Sequence, residues 1–184
     1  MMPKSGLLVV AALLLAACQQ APLRDEASHR SRVGVGSTFV LHESLIVPAG
    51  HARVFFQDGK VVAKAQLDRY RPHCNFEVRT VSDGSSRIEP DTFLVTGVEE
   101  YEEEIVARPQ HLRYAGLSMS DGDGAMISKI ARFVRHWLYS ERQPGVMRLT
   151  CHGGFDYPLD ALTPSITEIR QALGERVTLN LVWE

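Results

Sequence analysis

Two adjacent Cys-His pairs, His73-Cys74 and Cys151-His152, are the residues of this sequence best suited to chemistry. Together they supply two thiols and two imidazoles, which form a common ligand set for zinc. Both pairs lie in segments whose polar and apolar residues alternate as in β-strands. Because neighbouring residues on a strand point to opposite faces, each Cys and its adjacent His cannot easily converge on one ion. We therefore expect no metal at these pairs.

Two further motifs are weaker indications of chemistry. His152-Gly153-Gly154 is similar to the oxyanion-loop glycines of esterases, but the sequence has no Gly-x-Ser-x-Gly motif to supply the nucleophile. Asp121-Gly122-Asp123-Gly124 is similar to part of a calcium loop, but the Glu that an EF-hand needs later in the loop is missing. We interpret both as turns. The sequence therefore predicts no catalytic residue and no cofactor.

The N-terminal segment has the pattern of a secretory signal. Residues 1–6 carry one positive charge, residues 7–15 are an unbroken apolar run, and two small residues precede Cys18. The apolar run is too short to cross a bilayer. Leu15-Ala16-Ala17-Cys18 resembles the lipobox of bacterial lipoproteins.

This resemblance implies a lipid-anchored protein of the cell envelope. It implies that a signal peptide, residues 1–17, is removed and that Cys18 receives fatty acyl chains such as palmitate, which attach the protein to the membrane. Two or three acyl chains hold a protein stably, whereas one holds it only marginally. Gln19 follows Cys18, and in Gram-negative bacteria a residue other than Asp at this position implies the outer membrane, with the protein facing the periplasm.

The lipobox also accounts for the odd number of cysteines. When Cys18 is occupied by lipid, Cys74 and Cys151 remain as a pair in an oxidising compartment, and we predict a disulfide between them. Both lie on the apolar faces of their predicted strands, where an inter-strand or inter-sheet bridge could form.

The charge of the chain excludes one class of partner. The sequence has 20 basic and 22 acidic residues, and only Lys4 leaves with the signal peptide, so the mature chain is slightly acidic. This balance argues against nucleic-acid binding, which needs a basic face. It also leaves attachment to the membrane to the lipid alone.

We predict a flexible tether over residues 18–35 and a single β-rich domain over residues 36–184, because the two parts differ in their pattern of polar and apolar residues. The tether is polar and lacks apolar periodicity, whereas the domain shows about eight short apolar runs separated by turn residues. Asp58-Gly59 predicts a hairpin whose second strand covers residues 60–67. Residues 126–139 fit either a helix or a strand, and we favour a strand for their second half.

Near the C-terminus, Ser165 and Glu168 form a capping-box pattern and Gly174 follows as a helix stop, so one short helix is expected there. The whole pattern predicts a mainly β fold, either an antiparallel β-sandwich or an open barrel, with this single C-terminal helix.

The predicted disulfide would bring together two loop segments that mix aromatic, charged and proline residues. We take these segments as a candidate binding surface, which comprises Tyr70, Arg71, His73, His152, Phe155 and Tyr157. The expected function is therefore a non-enzymatic envelope protein that binds another protein or a cell-wall component. An envelope hydrolase with an unrecognised active site is the alternative.

Overall fold

The computed structural model describes residues 25–104 and 128–182. Cys18 and residues 121–124, which were predicted to form a turn, lie outside these ranges. Within them, no helix has the length and apolar character needed to span a membrane.

The described residues form ten β-strands and one α-helix, whose bounds follow in chain order. The strands are β1 (Thr38–Leu41), β2 (Leu45–Val47), β3 (Arg53–Gln57), β4 (Lys60–Val62), β5 (His73–Val78), β6 (Ser86–Ile88), β7 (Asp91–Glu104), β8 (Ile130–Tyr139), β9 (Val146–His152) and β10 (Val177–Asn180), and the helix is α1 (Ile166–Leu173).

Eight of these strands form one curled antiparallel sheet in the order β10-β1-β7-β8-β9-β5-β3-β4, while β2 and β6 pair separately. The helix α1 contacts β3 and β5 near one end of the sheet and β10 at the other. The sheet therefore wraps around the helix as a half-barrel. The predicted mainly β, antiparallel fold with one late helix is confirmed.

One face of the sheet, which we call the core face, packs against α1. It carries fully buried side chains such as Phe39, Phe76 and Phe93. The opposite face, which we call the outer face, carries polar, charged and aromatic side chains. Side chains that could take part in binding or catalysis are therefore to be sought on the outer face.

The helix begins and ends where its sequence predicts. The Ser165 hydroxyl accepts a hydrogen bond from the Glu168 backbone N–H at 3.2 Å, and the Glu168 carboxylate accepts one from the Ser165 N–H at 2.8 Å. This is the reciprocal capping box, which satisfies two backbone donors that a helix N-terminus leaves free. Gly174 caps the other end with a φ of 61°, a conformation suited to glycine.

The β3–β4 hairpin is also confirmed, although its second strand is shorter than predicted. Asp58 and Gly59 adopt φ values of 51° and 73°, as tight hairpin turns require. The Gly59 N–H donates to the Ala172 carbonyl of α1 at 3.0 Å, so the turn is fixed against the helix. The prediction of a strand to residue 67 is wrong, because β4 ends at Val62 and a 3-10 turn follows at Lys64–Gln66.

The prediction of a flexible tether over residues 18–35 is wrong for residues 25–35. Val33 is buried in the core at 1% exposure. The Glu26 carboxylate pairs with Arg170 at 2.8 Å, and its carbonyl accepts from the Thr167 N–H at 3.0 Å. These polar residues lack a periodic pattern because they pack irregularly, but their specific partners hold them on the domain. Residues 18–24 of the predicted tether lie outside the described residues.

The preference for a strand in the second half of residues 126–139 is confirmed by β8, which lies between β7 and β9. The apolar residues of β8 also fit a helical spacing, because both faces of this strand carry apolar side chains. Val134 and Leu138 are buried on the core face, while Phe133 and Trp137 lie on the outer face.

Candidate functional site

The predicted disulfide joins Cys74 and Cys151, which lie directly opposite each other on β5 and β9. Both cysteines are buried on the core face. Their neighbours His73 and His152 also face each other, but on the outer face. Thiols and imidazoles thus point in opposite directions, as the sequence predicted, and no group of three or more metal-ligating side chains occurs within residues 25–104 and 128–182.

The two histidines belong to a row of flat side chains that crosses four neighbouring strands. The ring of His73 stacks on His152 with centroids 4.7 Å apart, and His152 contacts Phe133 at 4.8 Å. Phe133 in turn stacks on Tyr101 of β7 at 5.4 Å. We call these four residues the aromatic row. Such cross-strand contacts stabilise a sheet and here give its outer face a flat, rigid surface.

A charged cluster lies four residues along β5 from His73. The Glu77 carboxylate accepts hydrogen bonds from Arg148 at 2.8 and 2.9 Å and from Arg53 at 3.0 Å. Burial by itself would raise the pKa of Glu77, but these two guanidinium groups lower it below its ordinary value. One carboxylate shared by two arginines leaves the cluster with one excess positive charge.

Beside the two histidines lies a pocket of about 130 Å³, which we call the outer pocket. Strand β3 contributes Arg53 and Phe55 to it, and the segment after β4 contributes Lys64, Leu67 and Arg69. The remaining lining residues come from three other segments and are His73, Glu103, His152 and Phe155. Three cationic side chains and one carboxylate therefore surround two imidazoles.

The imidazoles of the outer pocket are poor proton acceptors. Burial, and to a smaller extent the neighbouring His73, Arg53 and Arg135, together lower the pKa of His152 to about 3. Burial is also the main reason that the pKa of His73 is lowered. The Nδ1 of His73 lies 3.0 Å from the Arg71 carbonyl, which can only accept, so Nδ1 carries the hydrogen. Both rings are neutral near pH 7.

The structure brings the two predicted loop segments into contact. The Phe155 N–H donates to the Arg69 carbonyl at 3.0 Å. Tyr70 and Tyr157 are exposed and lie on either side of Lys129, whose ammonium is 4.8 and 5.3 Å from their ring centroids. Tyr70 and Tyr157 thus form an exposed aromatic pair, which we call the aromatic rim. In the chain, Tyr70 follows Arg69 and Tyr157 lies two residues after Phe155, and both Arg69 and Phe155 line the outer pocket.

Of the six residues predicted for the binding surface, His73, His152 and Phe155 line the outer pocket. Tyr70 lines a separate cavity that shares Phe155 with the outer pocket, and Tyr157 is exposed. Arg71 instead makes an ion pair with Asp58 at 2.8 Å on the β3–β4 turn. Its charge is therefore neutralised locally.

The glycines after His152 have a packing role, which agrees with their interpretation as a turn. A Cβ on Gly153 would lie 2.2 Å from the Leu162 carbonyl oxygen, and one on Gly154 would lie 2.3 Å from the Tyr70 carbonyl oxygen. Only glycine lets these backbones approach so closely.

Sequence reasoning missed the cationic part of the pocket, which comprises Arg53, Lys64 and Arg69. Arg53 could have been found from the alternation of β3, which places it on the same face as Phe55. Lys64 could not, because it lies in the segment 60–67, which was predicted to be a strand. Arg69 follows that segment, and no local pattern in the sequence pointed to it. No family model, curated protein or solved structure matches this chain.

Proposed function

We propose that this protein is a lipid-anchored lipoprotein of the bacterial envelope whose domain binds a protein or cell-wall partner through the outer pocket and its aromatic rim. The observation that carries the proposal is the outer pocket itself. It combines stacked rings, apolar walls and charged groups on the sheet, and it shares Phe155 with the cavity that Tyr70 lines. Recognition sites typically combine such a concave, partly apolar surface with a few polar groups.

The lipid anchor is supported by the lipobox at Leu15-Ala16-Ala17-Cys18. The Cys74–Cys151 disulfide supports an oxidising compartment such as the periplasm. Since residues 25–35 pack on the domain, any tether between Cys18 and the domain is shorter than the predicted residues 18–35. The lipid on Cys18 would therefore hold the domain close to the membrane, and Gln19 favours the outer membrane.

The lowered pKa values of the two histidines favour binding over catalysis. A general base works best when its pKa lies near the working pH, whereas the pKa of His152 is about 3 and that of His73 is also lowered. The alternative function, an envelope hydrolase, is supported by Glu103, which lines the same pocket as both histidines. A carboxylate and an imidazole together could serve acid–base chemistry.

The experiment is affinity capture from envelope extract with the lipidated protein as bait. We expect the same partner to be captured by wild type and by Arg87→Gln, an exposed cation outside the outer pocket, and to be lost with Phe155→Ser. Capture that is equal for all three proteins would contradict the proposal. Hydrolysis of purified cell wall by wild type, abolished in His152→Gln, would favour the alternative.

The anchor is tested separately by fractionation of cells that express wild type or Cys18→Ser. We expect wild type in the membrane fraction and Cys18→Ser in the soluble fraction. Retention of Cys18→Ser with the membranes would show that lipid on Cys18 does not hold the protein there.

A further inference from the structure

We infer that the outer pocket binds an oxyanion, either a carboxylate or a phosphate, at one end of its ligand, with the adjoining apolar part of the ligand between Phe55 and Phe155. This inference rests on the proposed binding function and names the chemistry that the pocket recognises.

The first argument is the charge that the pocket holds without a partner. Within the described residues, neither Lys64 nor Arg69 has a side-chain ion pair or hydrogen bond. Arg53 shares Glu77 with Arg148, so this carboxylate cannot neutralise both guanidinium groups.

The second argument is the sign of the electrostatic field at the two histidines of the outer pocket. The two arginines that perturb the pKa of His152, Arg53 and Arg135, both lower it. At His73, Arg69 acts in the same direction, whereas Glu103 and Asp68 oppose it. An anion placed between these groups would gain charge–charge attraction from Arg53, Lys64 and Arg69, which a cation or a neutral amide would not.

The third argument is size and shape. Pockets that enclose drug-sized ligands have volumes of roughly 300–1,000 Å³, so a pocket of about 130 Å³ encloses only one end of such a molecule. Phe55, Leu67 and Phe155 supply apolar surface for a short stem. The pocket thus fits a charged head group on a small apolar body, with the remainder of the ligand reaching the aromatic rim.

Calorimetric titration of the purified mature protein, residues 18–184, at low salt tests this inference, with isobutyrate, inorganic phosphate and the neutral isostere isobutyramide as probes. We expect isobutyrate or phosphate to bind with a Kd of about 1 mM, as expected for ligands of so few atoms, and isobutyramide not to bind. A preference for isobutyrate assigns a carboxylate head group, and a preference for phosphate assigns a phosphate head group.

Variants test whether the anion binds in the outer pocket. The double variant Lys64→Gln/Arg69→Gln should weaken anion binding at least tenfold, while Arg87→Gln should leave it unchanged. Because both replaced side chains are exposed, the double variant should fold as wild type does, which circular dichroism checks. In NMR spectra, saturating anion should shift the ring resonances of His152 and raise its pKa. Equal binding of isobutyramide, or unchanged binding by the double variant, would overturn the inference.

The outcome is separable from that of the capture experiment. If neither anion binds but partner capture still depends on Phe155, the inference fails while the proposed function stands. If anions bind as expected and no partner is captured, the proposed function fails while the oxyanion site stands.

Discussion

Replacing His136 with Phe should make the protein more resistant to unfolding by acid. His136 lies on the core face of β8, fully buried, with its ring 5.3 Å from that of Phe39. Neither ring nitrogen has a hydrogen-bond partner among the described residues. A buried imidazole in such surroundings is stable only when it is neutral.

The size of the stability that is lost in acid follows from the pKa of His136. Burial lowers this pKa from 6.5 to about 4, against a weaker opposing effect of the Leu149 backbone. Because the unfolded chain then binds more protons than the folded one, stability is present above pH 6.5 and is lost as the pH falls towards 4. Linkage gives a loss of about 2 kcal/mol between pH 7 and pH 4.5 from this residue alone.

The assay is urea unfolding of wild type and His136→Phe at pH 7 and pH 4.5, with the disulfide intact. We expect the variant to lose about 2 kcal/mol less stability than wild type between the two pH values. Comparing each protein with itself removes any packing change that Phe introduces. His51→Gln, at an exposed histidine, is the matched control and should behave as wild type. An equal loss in His136→Phe and wild type would refute the reasoning.

Three further predictions concern stability and are all measured by urea unfolding at pH 7. Replacing Cys74 and Cys151 together with Ala should cost up to about 4 kcal/mol, because the bridge closes a sequence separation of 77; an unchanged unfolding midpoint would contradict this. Glu77→Gln should cost about 2 kcal/mol, since it leaves two arginines without their shared, mostly buried carboxylate, and a neutral effect would show that solvent satisfies them. Gly153→Ala should destabilise by more than 2 kcal/mol through its clash with a backbone carbonyl, whereas Gly84→Ala, where a Cβ meets nothing within 4 Å, should be tolerated.

Local patterns in the sequence were sufficient for the helix and for the β3–β4 hairpin. The helix α1 depends on a capping box and on Gly174, all of which lie within ten residues of one another. Strand alternation likewise placed Cys74 and Cys151 on one face and their neighbouring histidines on the other. These features follow from nearest neighbours, so they can be predicted without knowing the sheet order.

Features that depend on distant partners could not be predicted in the same way. Residues 25–35 looked like a tether because their order comes from single contacts, such as that between Glu26 and Arg170. The outer pocket combines side chains from β3, β5, β7, β9 and two loops, and only the sheet order brings Glu103 close to Arg69. The histidines and Phe155 could be selected from sequence because the predicted disulfide linked their two segments.

Lipid on Cys18 would place this domain in the envelope. The intact mass of protein extracted from bacterial membranes tests most directly whether Cys18 carries this lipid. The expected mass is that of residues 18–184 with a diacylglyceryl group and an additional acyl chain, and Cys18→Ser should lack these groups. A membrane-extracted protein that retains residues 1–17, or that carries an unmodified Cys18, would contradict the proposed anchor.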